Sequence, residues 1–180
     1  MGILNFVKPD KIVLQKANDF EAQFEFRPLE PGYGVTIGNA LRRVLLNSLE
    51  GYAIVGINIS GADHEFATIK GITEDVTEII LNLKQVRFKK KVEHEVSSEK
   101  ITLSLKNKTE FTAGMIGEAS LSFEVMNPEL LLCVMDSSAK LDIEITIGKG
   151  RGYVPAEEHK EKSSHFGYIP VDAIYTPIKN

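Results

Sequence analysis

Alternating apolar and polar residues predict that most of this chain forms β-strands. Charged or polar residues separate Ala22, Phe24 and Phe26, and a period of two marks a strand with one buried face. Residues 11–28 are therefore predicted to form two strands joined near residues 18–19. Further strands are predicted at residues 52–60, 86–96, 101–105, 119–125, 130–136 and 141–147.

A helical period follows the first two strands. Its positions are spaced i, i+3, i+4, i+7, i+8 and i+11, and they are Ile37, Ala40, Leu41, Val44, Leu45 and Ser48. This spacing places them on one face of a helix. Thr36 is the predicted N-cap, and Gly51 lies where the helix is expected to end. Because Arg42, Arg43 and Leu46 lie off this face, the helix is expected to contact partners on more than one side.

A second helix is predicted at residues 74–83, with Thr73 as its cap. The adjacent carboxylates Glu74 and Asp75 stand at its start, where they would stabilise the helix dipole. Residues 154–167 are polar and are predicted to form a loop. Few helices among many alternating strands indicate an α+β fold with mostly antiparallel sheet.

Composition narrows the function classes. The 180 residues carry a net charge of −4, whereas domains that grip nucleic acid by its phosphates are usually basic. The single cysteine, Cys133, cannot form an internal disulfide, and its apolar neighbours indicate a small buried side chain. Because no apolar run approaches the length of a membrane span, the expected location is the cytoplasm.

The sequence offers little chemistry. Residues 148–152 are rich in glycine and basic, but they lack the spacing of a nucleotide-binding loop. A structural turn is favoured there over an anion site used by a small enzyme. The four histidines, His64, His94, His159 and His165, show no metal-binding spacing. No catalytic residue, metal or cofactor is therefore expected.

A basic cluster keeps a second function open. It comprises Lys84, Arg87, Lys89, Lys90 and Lys91. A solvated strand face explains it most simply, and the alternative is a nucleic-acid-binding module that uses residues 84–91. Steep salt dependence of binding would distinguish that alternative. Taken alone, these residues indicate an α+β interaction protein.

Several sequence motifs indicate a particular protein family. Residues 26–48, which read FRPLEPGYGVTIGNALRRVLLNS, closely resemble the "PLE-GFG-TLGNALRR-LL-S" signature of bacterial RNA polymerase alpha subunits. Matching motifs follow in order along essentially the whole chain. They are GADHEF at residues 61–66, EDVTEIILNLK at 74–84, GRGYVPA at 150–156, and VDA at 171–173 followed by Pro177.

The resemblance implies a two-lobed assembly module whose partners are a second alpha subunit and the beta and beta-prime subunits, with no direct contact to DNA. Residues 1–52 would form the first part of a dimerisation domain, and residues 176–180 would begin its return segment. Residues 53–175 would form a β-rich domain inserted within it. Since family members continue beyond this point, the chain is expected to be a fragment that lacks the rest of the dimerisation domain.

The resemblance also implies contact residues. The six residues of the apolar helix face would pair two alpha subunits. The resemblance would place Asn39, Arg42 and Arg43, from the GNALRR motif, and Leu46, from the LL pair that follows it, in contact with the beta subunit. Lys84 and Val171 match positions that face the beta-prime subunit. The catalysis of RNA synthesis would belong to those partners.

Overall fold

The structure is a computed structural model that describes residues 7–18, 20–160 and 167–178. The chain divides into two compact units, Met1–Leu45 and Leu46–Asn180. The described part contains four helices and twelve strands, and the pairings between strands are antiparallel. The prediction of an α+β fold with mostly antiparallel sheet is therefore confirmed.

The first unit contains the predicted hairpin. Strands β1 (Lys11–Ala17) and β2 (Ala22–Arg27) pair antiparallel, with Leu14 opposite Phe24. The side-chain oxygen of Asn18 closes the turn by accepting hydrogen bonds from the backbone N–H groups of Phe20 and Glu21, at 2.9 and 2.7 Å. The other residue of the predicted turn, Asp19, lies outside the described residues.

Helix α1 (Tyr33–Asn47) contains five of the six predicted periodic residues but begins earlier, and Ser48 lies just beyond its end. Thr36 is therefore not the cap and lies inside the helix. The first turn carries no amphipathic pattern, so periodicity could not reveal it; instead Gly32, with φ +87°, ends the preceding loop. The helix also ends before Gly51, which lies inside the next strand, β3 (Glu50–Ile59).

The second unit is built on a four-stranded sheet with the order β11-β3-β9-β5. Its central pair joins β3 to the long strand β9, with Ile57 opposite Ile145 and Ile59 opposite Ile143. These isoleucines are fully buried, and they meet helix α2 and the shorter strands in one core. The remaining elements of this unit are α2 (Val76–Leu83), β4 (Phe88–Lys90), β5 (Ser98–Lys106), β6 (Glu110–Thr112), α3 (Ala113–Ala119), β7 (Phe123–Val125), β8 (Leu131–Val134), β9 (Lys140–Arg151), β10 (Tyr153–Val154), α4 (Ala156–Lys160), β11 (Tyr168–Pro170) and β12 (Ala173–Ile174).

Helix α2 begins two residues later than predicted, and its cap is Asp75 instead of Thr73. The Asp75 carboxylate accepts from the backbone N–H of Glu78 at 2.8 Å, and Glu78 reaches back to the backbone N–H of Asp75. This reciprocal capping box satisfies two N–H groups that the helix start leaves unpaired. The neighbouring carboxylate of Glu74 instead accepts from the backbone N–H of Val134 in β8, at 2.8 Å.

Two predicted strands are much shorter in the structure. The strand predicted at residues 86–96 is reduced to β4, and the one at residues 119–125 to β7. Helix α3, which precedes β7, was not predicted because Gly114 and Gly117 are poor helix formers. These glycines let the helix approach its neighbours closely, since a Cβ atom at either position would lie 3.2 Å from Pro128 or Val125.

The predicted turn at residues 148–152 is wrong over most of its length, because β9 continues to Arg151. The glycines serve close packing instead of chain reversal. A Cβ atom at Gly150 would lie 2.3 Å from Cε2 of Tyr175, whose side chain is buried. Helix α4 interrupts the loop predicted at residues 154–167, and residues 161–166 of that loop lie outside the described residues.

Candidate partner-binding surfaces

Helix α1 presents an apolar face that the described residues do not bury. Among the six predicted dimerisation residues, Ile37 is half-buried, while Ala40, Leu41, Val44, Leu45 and Ser48 are exposed. Leu41 is 51% exposed and Val44 49%. Large apolar residues grouped on one helix face are typical of a surface that associates with another protein.

The predicted beta-facing residues lie on the other side of the same helix. Asn39, Arg42, Arg43 and Leu46 are spaced i, i+3, i+4 and i+7 within α1, so they share one face. At 100° per residue this face is turned about 180° from the predicted dimerisation face. Both arginines are exposed, and neither makes a hydrogen bond or an ion pair with any residue in the described ranges. One helix thus offers two separate surfaces.

The second unit carries a groove of about 450 Å³ between α2 and the segment that connects β11 to β12. Both residues predicted to face the beta-prime subunit line this groove. Lys84 is the C-cap of α2, and its ammonium lies 2.8 Å from the carboxylate of Asp172. Val171 is only 1% exposed, and its backbone N–H donates to the carbonyl of Val55 in β3 at 3.0 Å. Val171 therefore holds the groove wall in place and exposes almost no surface to a partner.

Asp172 joins three elements at this groove. One carboxylate oxygen accepts from Lys84, and the other accepts from the backbone N–H of Ala156, at 2.9 Å, where α4 begins. The Lys84 hydrogen bond is the main reason that the pKa of Asp172 is lowered from its ordinary value, and the Ala156 N–H adds to it. The carboxylate is consequently held in its charged form as a fixed part of the wall.

Sequence reasoning missed the most exposed apolar residues of the groove. Phe66 is 75% exposed and Leu81 54%, and both line the groove beside Lys84. The only signal at Phe66 was the motif at residues 61–66, which assigned it no role. Leu81 lies in the motif at residues 74–84, which likewise assigned it no role.

Comparisons with known proteins agree with the motifs. The family described as RNA polymerase Rpb3/RpoA insert domain matches residues 56–176. This chain belongs to that family. Relatives named DNA-directed RNA polymerase subunit alpha align with all 180 residues, at 60% identity in Cytophaga hutchinsonii, 56% in Flavobacterium psychrophilum and 57% in Bacteroides thetaiotaomicron. The chain spans about half the length of the curated relatives it matches, 54% in each of these three.

In this member of the insert-domain family, the basic cluster mostly binds its own chain. Four of the five side chains donate to oxygen atoms of the second unit. The acceptors are the Asp172 carboxylate for Lys84, the carbonyls of Lys84 and Val86 for Arg87, those of Glu93 and His94 for Lys90, and those of Gly117 and Ser120 for Lys91. Lys89 alone in the cluster makes no such bond within the described ranges. This arrangement favours the structural interpretation over phosphate binding, which needs free cations.

In this family member the cysteine has a structural role, and the described residues give no support for a metal site. Cys133 is fully buried, as predicted, and burial raises the pKa of its thiol to about 12. In the part of the chain that the structure describes, no group of three or more potential ligands could hold a metal ion; His165 lies outside that part. No described helix is long and apolar enough to cross a membrane.

Proposed function

We propose that this chain is the assembly part of a non-catalytic alpha subunit of DNA-directed RNA polymerase. Its role is to pair two alpha subunits and to recruit the beta and beta-prime subunits in the cytoplasm. The observation that carries the proposal is the pair of opposite exposed faces on α1, one apolar and one basic. The names of the aligned relatives support the same assignment.

The proposed domain arrangement follows the motifs. Residues 1–52 form the first part of the dimerisation domain, and residues 176–180 begin its return segment, of which 179–180 lie outside the described residues. Residues 53–175 form the inserted domain. The exposed apolar face of α1 then pairs with a second alpha subunit, since the described residues leave most of that face exposed.

The basic face of α1 is proposed to bind the beta subunit. Arg42 and Arg43 each carry a planar guanidinium that suits a carboxylate or a pair of carbonyl oxygens. Leu46, one turn along the same face, supplies an apolar contact, and Asn39 extends the face in the other direction. Because the two arginines have no described partner within the chain, they are available for recognition.

The groove of the second unit is proposed to bind the beta-prime subunit. Lys84 lies at its rim, and Val171 holds the adjacent wall against β3. No side chain of this chain is assigned to the chemical steps of RNA synthesis. Those steps and their metal ions belong to the beta and beta-prime subunits in this proposal.

The test measures binding of purified beta subunit to the immobilised full-length protein. Arg43→Ala is expected to weaken binding at least about tenfold, because loss of one partner from an interfacial charge pair leaves the other unpaired. Lys89→Ala, which removes an exposed cation from the second unit, is the control and should bind as the wild type does. Unchanged binding by Arg43→Ala, with the variant still dimeric by light scattering, would contradict the assignment of this face.

A further inference from the structure

The groove of the second unit combines exposed apolar side chains with exposed carboxylates. We propose that it receives a segment of the beta-prime subunit in which basic side chains flank an apolar one. This inference rests on the proposed function, and it adds the chemical class of the occupant and the residues that select it. Phe66 and Leu81 would contact the apolar side chain, and Glu65 and Glu157 would pair with the basic ones.

The apolar part of the groove contains two large exposed side chains. Phe66 projects from the loop before α2, and Leu81 lies in the last turn of α2. Ile80, which also lines the groove, is half-buried and packs against the core. Single exposed apolar residues are common on proteins, but two large ones that border the same cavity form an anchor site for a partner side chain.

Lys84 is not a free charged group that could recognise a partner in this groove. The Lys84 ammonium is matched by Asp172 at 2.8 Å. Glu65 and Glu157, both exposed at the rim, form no ion pair with any residue in the described ranges. Among the described residues that line the groove, the uncompensated charge is therefore negative, and charge complementarity favours a positively charged partner segment.

The groove is also held in shape before any partner arrives. Ile169 lies in β11 opposite Ile57 of β3, and the Val171 N–H donates to Val55. Lys84 and Asp172 tie this wall to α2. Lys84 is therefore a positioning residue, which fixes the wall that carries the acidic rim. A preformed site of this kind loses little freedom on binding.

The test uses full-length protein in complex with the beta subunit and measures its affinity for beta-prime across a range of salt concentrations. Glu65→Gln with Glu157→Gln preserves side-chain shape and removes both charges. It is expected to weaken binding about threefold to tenfold at low salt and to flatten the salt dependence. Glu124→Gln with Glu129→Gln, two exposed glutamates outside the groove, is the matched control and should leave both quantities unchanged.

A second variant separates the anchor from the rim. Leu81→Ala should weaken binding by a similar factor at every salt concentration, because it removes apolar contact and no charge. A photo-crosslinking residue placed at Leu81 should then label a beta-prime peptide in which Lys or Arg flanks an apolar residue. Labelling of an acidic peptide, or of none while beta-prime still binds, would overturn the inference.

The two proposals fail in different ways. If wild-type protein with bound beta subunit captures beta-prime but the groove variants change neither affinity nor salt dependence, the occupant is misassigned and the scaffold function stands. If the wild-type complex captures no beta-prime at all, the proposed function fails and this inference fails with it.

Discussion

Lys84 and Asp172, which are 88 positions apart, form an ion pair at 2.8 Å that closes one side of the groove. The pair connects the end of α2 to the wall that follows β11, and Asp172 extends the connection to the start of α4. A single carboxylate thus fixes the relative positions of three elements. The contribution of this ion pair to stability can be measured without any partner protein.

The ion pair should contribute modestly to stability. The two side chains are 20% and 33% exposed, so solvent screens their attraction and a coupling energy of about 0.5–1 kcal/mol is expected. A double-mutant cycle with Lys84→Met and Asp172→Asn, followed by urea unfolding and circular dichroism, measures this coupling. Strictly additive losses would show that the pair contributes no net stabilisation.

Acid should weaken the same connection. Because the pKa of Asp172 is lower in the folded state, its stabilisation is fully present above the unfolded-state value of about 3.9. It is lost as the pH falls through the lower folded-state pKa. Between about pH 6 and pH 3, the wild-type chain should therefore lose more unfolding free energy than Asp172→Asn. In a Lys84→Met background this difference should shrink, and a difference of unchanged size would assign the pKa shift to another group.

Gly150 should not tolerate a side chain. A Cβ atom there would lie 2.3 Å from the buried ring of Tyr175, so Gly150→Ala should lower the free energy of unfolding by about 1–3 kcal/mol. Gly38 is the matched control, because a Cβ atom at this position in α1 would meet nothing within 4 Å. Gly38→Ala should leave stability unchanged or raise it by up to about 1 kcal/mol. Equal effects of the two substitutions in thermal unfolding would refute the packing argument.

Cys133 should react only when the chain opens. Burial raises the pKa of its thiol to about 12, and the nearby charge of Glu74 acts in the same direction. At neutral pH the thiolate is scarce and covered, so a thiol-specific reagent should modify the native chain far more slowly than the urea-unfolded chain. The reagent should be one that releases a coloured group when it reacts with a thiol. Because the chain has one cysteine, the absorbance of that group measures the reaction of Cys133 alone. Rapid labelling of native protein would show that β8 is open in solution.

Local sequence patterns predicted the elements whose apolar residues face one side. The alternation at Phe24 and Phe26 predicted β2, and the alternation of Ile143, Ile145 and Ile147 predicted the centre of β9. Helix α3 lacked such a signal, because its glycines lower helix propensity and are explained only by the close contacts with Pro128 and Val125. The formation of α3 therefore depends on tertiary packing.

The groove could be predicted only in part. The resemblance assigned Lys84 and Val171 to one partner, and the structure brings both to one groove. No spacing rule links Lys84 to Asp172, because a long-range ion pair depends on how the chain folds back. Nor did the sequence show that Val171 is buried and that Leu81 is exposed. The contacts proposed for α1 and for the groove stay predictions until binding is measured.

The most direct test of the scaffold proposal is native mass spectrometry of full-length protein mixed with the beta and beta-prime subunits. Wild-type protein should give a complex of two alpha subunits with one beta and one beta-prime. Arg43→Ala should give alpha dimers that lack the beta subunit, whereas Leu81→Arg, beside Lys84, should give dimers that carry beta without beta-prime. If both variants assemble as the wild type does, or if both lose the same subunit, α1 and the groove are not separate partner surfaces.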